Sequence, residues 1–253
     1  MIPAWLSLLD AVLGLILVGA GIGAAHFELI SALFGFQMFL LGAMLAAFGL
    51  LMGLLGIWRT ADPTLRTGRY VAWVGVLIGL ALVIPTSVMA VRSRRFPRLD
   101  DVTTDFANPP AFMRAGQLEA NQNRSLLYDR THNEPLQNAA YGSIEPLAMH
   151  DYTPNIAFEH VKIAAGEIPD WRITWVDPHR LALEGVAVSR IFHFKEDFAI
   201  EVRPGAHGGS LIEMRSKSRD GINDLGANAH HIRAFFAMLA PRPLPPTPSP
   251  DHS

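Results

Sequence analysis

Seven residues near the C-terminal end carry the side chains best suited to shared chemistry: Arg215, Ser216, Ser218, Arg219, Asp224, Asn228 and His231. They lie in one run in which a strand pattern passes through a polar turn into a helical pattern. Guanidinium forks and hydroxyls beside a helix N-terminus all present donors, so the run suits an anionic group such as phosphate or carboxylate. A small anionic ligand is therefore the binding candidate. The same residues can serve structure alone. Asp224 can cap the helix, Arg219 can pair with Asp224, and Gly221 and Gly226 can supply turn geometry. Both readings stand at the level of sequence.

Little else in the chain points to catalysis. There is no cysteine, which excludes disulfides, thiol nucleophiles and Cys-ligated zinc or iron–sulfur centres. Glu196 and Asp197 suggest paired carboxylates, but neighbours on a strand face opposite ways, and the pair reads more simply as a turn. The ten histidines are scattered, and His230 and His231 are adjacent rather than four apart as a helical metal pair requires. No Ser-His-Asp order, phosphate loop or dinucleotide fingerprint stands out. No catalytic residue, metal site or cofactor is assigned, and nothing singles out an enzyme. The net charge of −2 argues against a nucleic-acid binder, which needs a basic stripe.

The elements that would position the run fall between residues 96 and 240, a usual size for one domain. Residues 97–149 read mainly as loops, with one short helix near Met113–Asn123. Thr153 and Pro154 look like an N-cap and first helical position, and Phe158, Val161 and Ala165 follow at helical spacing. Four strands come next. Trp171, Ile173 and Trp175 alternate with polar residues; Leu181–Val188 runs on toward Phe194; Phe198–Val202 and Ile212–Ser216 alternate again. Turn signals separate them at 177–178, 195–197 and 204–209. The last helix starts near Asn223 or Asp224 and runs to about Leu239, with Ile232, Phe235 and Phe236 inward. The fold class is α+β: a two-layer domain with a four-stranded antiparallel sheet and packed helices. Helices would cover its apolar face. The face with Glu201, Arg203, Glu213, Arg215 and Lys217 would stand in water, laced by cross-strand ion pairs.

The run Arg215–Asn228 resembles the signature of a bacterial and plastid family, domain of unknown function 1499 (DUF1499). Val102–Phe112, Trp171–Ile173 and Ser189–Phe198 resemble further segments of it in the same order, and Ile57–Arg59 with the helix after it resembles a subgroup with three membrane helices. The resemblance implies a fold and a location, with relatives exported or lumenal, but almost no chemistry. One departure is His231, which sits where the family pattern usually has arginine. A basic contact there would form only with protonated His231.

Half of the chain is hydrophobic while only 17% is charged, and the apolar residues crowd the first 91 positions. Residues 4–25, 33–58 and 71–91 are three runs long enough, at ~1.5 Å per residue, to cross a hydrocarbon core of ~30 Å. They predict an N-terminal three-helix transmembrane bundle. A signal peptide is the rival reading of the first run, which lacks the basic n-region. Each run holds glycines four apart, Gly19/Gly23, Gly49/Gly53 and Gly75/Gly79, which let helix backbones approach within the bundle or along a seam for a membrane-protein partner. Pro85 would kink the third helix. Asp10 is either an intramembrane functional acid or an interfacial residue, and His26 and Glu28 fall in a short solvated loop.

Arg59, Arg66 and Arg69 precede the third helix, with Asp62 opposing them, and Arg92, Arg94, Arg95 and Arg98 follow it, so the positive-inside rule is split. Long domains translocate regardless of charge. The preferred topology is a bacterial inner-membrane protein, N-terminus inside and large domain periplasmic. The chain thus divides into a membrane region 1–95, a soluble domain 96–240 and a tail 241–253 with six prolines, extended or disordered. The leading expectation is a non-enzymatic accessory or binding subunit in the lipid bilayer. The alternative is binding or hydrolysis of an anionic or lipid-like ligand at Arg215–Asn228. A transporter is disfavoured, since three helices with one intramembrane charge offer little pathway.

Overall fold

The structure, a computed structural model, describes residues 2–59, 66–206, 208–221 and 223–239. The proline-rich tail and Asp62 lie outside the described residues. The chain forms two compact units. The first comprises residues 1–97 with the short segments Val188–Lys195 and Asp220–Leu225; the second holds the rest.

The first unit is built on α1 (Ile2–His26), α2 (Ala32–Arg59) and α3 (Arg66–Ser93), each long and apolar enough to cross a membrane. Their packing is set by small residues at alternating steps of three and four. On α1 the buried positions are Ala4, Ser7, Ala11, Gly14, Val18, Gly21 and Ala25. On α2 they include Gly35, Gly42, Ala46, Gly49, Gly53 and Gly56. A repeat averaging 3.5 residues keeps one seam facing its partner along the whole helix. At Gly14 and Gly42 the backbones meet so closely that a Cβ on either would lie 2.6 Å from the other's carbonyl oxygen. Gly21 and Gly35 repeat the arrangement one heptad away.

Of the glycines picked out by four-residue spacing, Gly49 and Gly53 face α1 or α3, Gly75 faces Ser7, and Gly79 faces Ala46 and Leu50. Gly19 and Gly23 do not join the seam: a Cβ on either would meet nothing within 4 Å. The heptad positions Gly14 and Gly21 take that role on α1. Asp10 lies beside Gly49 at the α1–α2 seam, and its buried Oδ2 has no hydrogen-bond partner among the described residues. α3 continues through Pro85, and the Thr86 hydroxyl donates to the Leu82 carbonyl at 2.7 Å. After α1, exposed Glu28 lies 3.3 Å from Lys195, and the His26 and His193 rings are 4.4 Å apart. Phe192 packs edge-on against both Phe36 and Phe39.

In the second unit the polypeptide makes β1 (Asp101–Thr103), α4 (Arg130–Tyr141), β2 (Leu147–Met149), α5 (Pro154–Glu167), β3 (Trp171–Asp177), β4 (Ala182–Val188), β5 (Lys195–Pro204), β6 (Ser210–Ser218) and α6 (Ala227–Leu239). The sheet has six strands rather than four, in the order β1-β6-β5-β4-β3, with β2 paired to the same β6. β1 and β2 are three-residue strands drawn from the stretch that reads as loops; both pair antiparallel with β6. α4 also comes from that stretch, its N-terminus capped where the Asp129 carboxylate accepts from the His132 N–H. The short helix expected near 113–123 is instead two single 3-10 turns, Ala115–Gln117 and Glu119–Asn121.

One face of the sheet carries the apolar core. Phe198, Ile200, Val202, Ile212 and Met214 meet Phe158 and Val161 of α5 and Ile232 and Phe235 of α6. Two boundaries differ from the sequence reading. Residues 195–197 lie inside β5, and the turn comes earlier, closed by the Ser189 N–H donating to the Phe194 carbonyl at 2.8 Å. α6 begins at Ala227 because Leu225 and Gly226 have φ of 54° and 85°, a left-handed backbone that no helix can start through. The helical backbone thus starts beyond both Asn223 and Asp224. Asn223 instead accepts from the Leu225 N–H in an Asx turn.

The glycine seam gives a sharp contrast for mutagenesis. Gly14→Leu or Gly42→Leu forces α1 and α2 apart and should lower the melting temperature of the detergent-solubilised protein by several degrees. Gly19→Leu should leave it unchanged. Equal melts for Gly14→Leu and Gly19→Leu would contradict this packing.

Candidate functional site

Strand alternation sends β6 side chains to two different environments. Ser216 and Ser218 face α6, where Asn228 lies in the first turn. The Ser216 hydroxyl donates to Asn228 Oδ1 at 2.7 Å, and Asn228 Nδ2 donates to Ser218 Oγ at 3.1 Å and to the Asp100 carbonyl at 2.9 Å. One fully buried amide thus ties α6, β6 and the residue before β1 together.

The opposite face holds Glu213, Arg215 and Lys217 of β6, Asp197, Glu201 and Arg203 of β5, Glu184 of β4 and Asp101 of β1. This face is not in water. The stretch between β1 and α4 lies over much of it, and Arg215 is only 2% exposed. Its guanidinium makes a two-pronged contact with Asp101, Nε to Oδ1 at 2.9 Å and Nη2 to Oδ2 at 2.7 Å. Nη2 also donates to the Leu126 carbonyl at 2.8 Å. The guanidinium carbon sits 4.8 Å from the Phe112 ring centre and 5.3 Å from that of Tyr128, so the cation is held between aromatic faces. Burial, with Asp101 nearby, pushes the Tyr128 phenol well above its usual range. Lys217 reaches Asp100 at 3.1 Å and Asp101 at 3.2 Å.

Two further carboxylates fasten the covering stretch. Asp197, fully buried, takes Arg219 at 2.6 Å and 3.0 Å, accepts from Asn121 Nδ2 at 3.0 Å, and has Arg124 at 3.4 Å. Arg124 in turn donates to the Ser218 carbonyl at 2.5 Å. Glu184, 1% exposed, accepts from the backbone N–H groups of Met113, Arg114 and Ala115, the last at 2.7 Å. Three successive amides on one carboxylate form an anion nest supplied by the chain itself.

At the far end of this face Glu201 and Glu213 stand opposite each other on β5 and β6. They share one guanidinium, with Arg203 Nη2 2.9 Å from Glu201 and 3.2 Å from Glu213. Burial pushes the Glu213 carboxyl up to about 7, Asp105 and Glu201 adding to it and Arg203 opposing. His231 is displaced the other way. Burial beside Trp171, helped by the charge of His230, lowers it to about 4, and its Nδ1 has no hydrogen-bond partner among the described residues.

The candidate residues thus separate. Ser216, Ser218 and Asn228 form one cluster under α6. Arg215 and Arg219 join two different carboxylates on the other face, and Arg219 is held by Asp197 where Asp224 had been the available acid in sequence. Asp224 belongs to the segment Asp220–Leu225 of the first unit. His231 lies against Trp171 and is neutral above pH about 4. Asp100, Asp101, Asn121, Arg124 and Glu184 complete the network and were not singled out from sequence, while Asp197, which reads there as part of a turn, is its most heavily used carboxylate. Glu184 had a signal, a lone carboxylate in the apolar run Leu183–Val186; Asp101 had none.

The described residues contain no group of three or more His, Asp or Glu arranged to hold a metal. The profile of the family described as Protein of unknown function (DUF1499) matches residues 101–239, which spans the sheet, the covering stretch and α4 to α6. No curated protein and no solved structure matches the chain.

Two expectations follow. Arg215→Ala leaves Asp101 buried without its fork and should cost about 3–5 kcal/mol in denaturant unfolding, while Arg215→Met with Asp101→Leu should cost less than either single change. Additive losses would mean that the two do not form a dry pair. For pH, Glu213 ionises at about 7 folded against 4.5 unfolded, so its contribution is full below 4.5 and is lost as pH rises through about 7. His231 acts oppositely: its contribution is full above 6.5 and is lost as pH falls through about 4. Glu213→Gln should therefore gain stability relative to wild type between pH 5 and 8, by about 2 kcal/mol. A difference constant with pH would overturn the assignment.

Proposed function

The chain belongs to the DUF1499 family, and from that premise we propose that it is a bilayer-anchored, non-catalytic binding or accessory subunit of a membrane complex. The carrying observation is that the signature cations already have internal partners. Arg215 and Lys217 are matched by Asp100 and Asp101, and Arg219 and Arg124 by Asp197. A phosphate or carboxylate binding at Arg215–Asn228 would have to displace one of these carboxylates from a buried pair, at a cost of several kcal/mol. Such an arrangement favours a rigid module that presents its outer surface. Anion binding or hydrolysis at the signature is the competing reading.

The membrane part supports a partner within the bilayer. Gly19 and Gly23 are four residues apart on α1 and have open space where side chains would stand, so a foreign helix backbone can approach there. We place α1–α3 in a bacterial inner membrane with the N-terminus inside. Three crossings put the residues after α3 on the opposite side, in the periplasm.

Native mass spectrometry of the full-length protein, extracted mildly at native expression level, tests the proposal. The expected result is a stoichiometric complex with another membrane protein that is lost in Gly19→Leu/Gly23→Leu. Bare protein, or a complex indifferent to those changes, would overturn the seam. A bound anion released by Arg219→Ala with the fold intact would favour the competing reading.

A further inference from the structure

The C-terminal end of α3 combines two features that no internal contact explains. Pro85, Val88, Met89, Arg92 and Phe96 recur at helical spacing and line one side of a groove of about 410 Å³, closed by Leu225. Val88, Met89, Phe96 and Leu225 all remain exposed. Arg92 lines the groove, and exposed Arg94 and Arg95 follow it where the helix ends in a tight turn, the Arg95 N–H donating to the Arg92 carbonyl at 3.1 Å and the Phe96 N–H to that of Ser93 at 3.2 Å. Among the described residues none of these three guanidinium groups has a hydrogen-bond or ion-pair partner. The contrast with Arg215 and Arg219, both fully matched, is sharp.

We infer that this groove binds one anionic phospholipid, with an acyl chain along Pro85–Met89 and the phosphodiester on Arg92 and Arg95. The two halves of the site select the ligand between them. A soluble anion has no use for the apolar stripe, and a hydrocarbon none for the arginines. From Pro85 to Arg92 the helix rises ~10 Å, the depth over which a lipid passes from its upper acyl chain to its headgroup. A zwitterionic lipid carries its own ammonium, which the arginine cluster repels. Guanidinium forks match the planar pair of unesterified phosphate oxygens, and each basic residue at a membrane surface adds to the preference for anionic lipid. The inference rests on α3 spanning a bilayer, which alkaline extraction of membranes tests separately: the protein must stay in the pellet.

The test is native mass spectrometry of the full-length protein released from detergent containing either dioleoyl-phosphatidylglycerol or dioleoyl-phosphatidylcholine. The wild type should retain one phosphatidylglycerol and no comparable phosphatidylcholine. Arg92→Gln/Arg95→Gln, both at exposed positions, should reduce that retention about tenfold or more, while Arg92→Lys/Arg95→Lys keeps most of it. Soluble glycerol 3-phosphate should fail to displace the lipid. Equal retention of both lipids, or retention unchanged in the glutamine variant, would overturn the site. Displacement by glycerol phosphate would also overturn it and leave a simple anion site. Unfolding of the glutamine variant is excluded or exposed by its melting curve, and the lysine variant then carries the decision.

Discussion

Arg215 and Asp101 form the contact on which the second unit depends. A guanidinium and a carboxylate, both removed from water, repay their desolvation only when the geometry is two-pronged and the remaining donors find acceptors. Here Nη2 reaches the Leu126 carbonyl as well, and Phe112 and Tyr128 close over the faces of the cation. Those last residues belong to the stretch between β1 and α4, which has little regular structure of its own. The ion pair, together with Glu184 and Asp197, thus gives that stretch a place. Without these contacts the polar face of the sheet would be wet and the stretch would be an unanchored loop of some 25 residues, longer than compact domains usually tolerate.

The consequence is a sheet covered on both faces, over most of its area, by different chemistry. On the α5–α6 side the strands are held by non-directional apolar burial, which tolerates conservative exchange. On the other side they are held by directional contacts, each carboxylate taking a particular set of donors: Glu184 three amides, Asp197 two guanidinium groups and an amide. Directional contacts specify register more tightly than burial does, and cost more when one member is lost. Asn228 fastens α6 to the strands, since its amide bonds the β6 hydroxyls and the Asp100 carbonyl just before β1. The signature density of Arg, Ser, Asp and Asn follows from this architecture: β6 is the strand where both kinds of holding meet.

How much of this the amino-acid order reveals depends on whether a contact leaves a periodic trace. β3 to β6 were legible because alternating apolar residues mark one buried face, and α5 because Phe158, Val161 and Ala165 fall on one stripe. β1 and β2 were not, since three residues are too few to display a period. α4 was hidden by its polarity and by Pro135. The polar face was misplaced for a related reason. Alternation of Glu213, Arg215 and Lys217 with Ile212, Met214 and Ser216 shows which residues share a face but not whether another segment covers it. Asp197 reads as part of a turn because Lys195–Asp197 is polar throughout, although β5 runs through it. Such pairings join residues roughly 20 to 115 apart in sequence, and only the fold brings them into range.

The membrane helices show the same distinction in another solvent. Within a bilayer, burial of apolar surface gives helices no reason to associate, so close backbone approach has to do it, and small residues mark the seam. The four-residue glycine steps found Gly49, Gly53, Gly75 and Gly79 but missed Gly14, Gly21, Gly35 and Gly42, whose spacing is seven. Seven is the repeat of a seam that follows two supercoiled helices over their full length, whereas four marks a single crossing. α1 carries both. Its heptad glycines are closed by α2, and its four-step pair, Gly19 and Gly23, faces away from every described neighbour within 4 Å. A helix needs only one such seam to hold this bundle together, so the second pair is surplus to the internal packing. Unlike the paired cations Arg215 and Arg219, that glycine pair and the arginines at the end of α3 meet no partner among the described residues, and they are the surfaces left for contacts outside the chain.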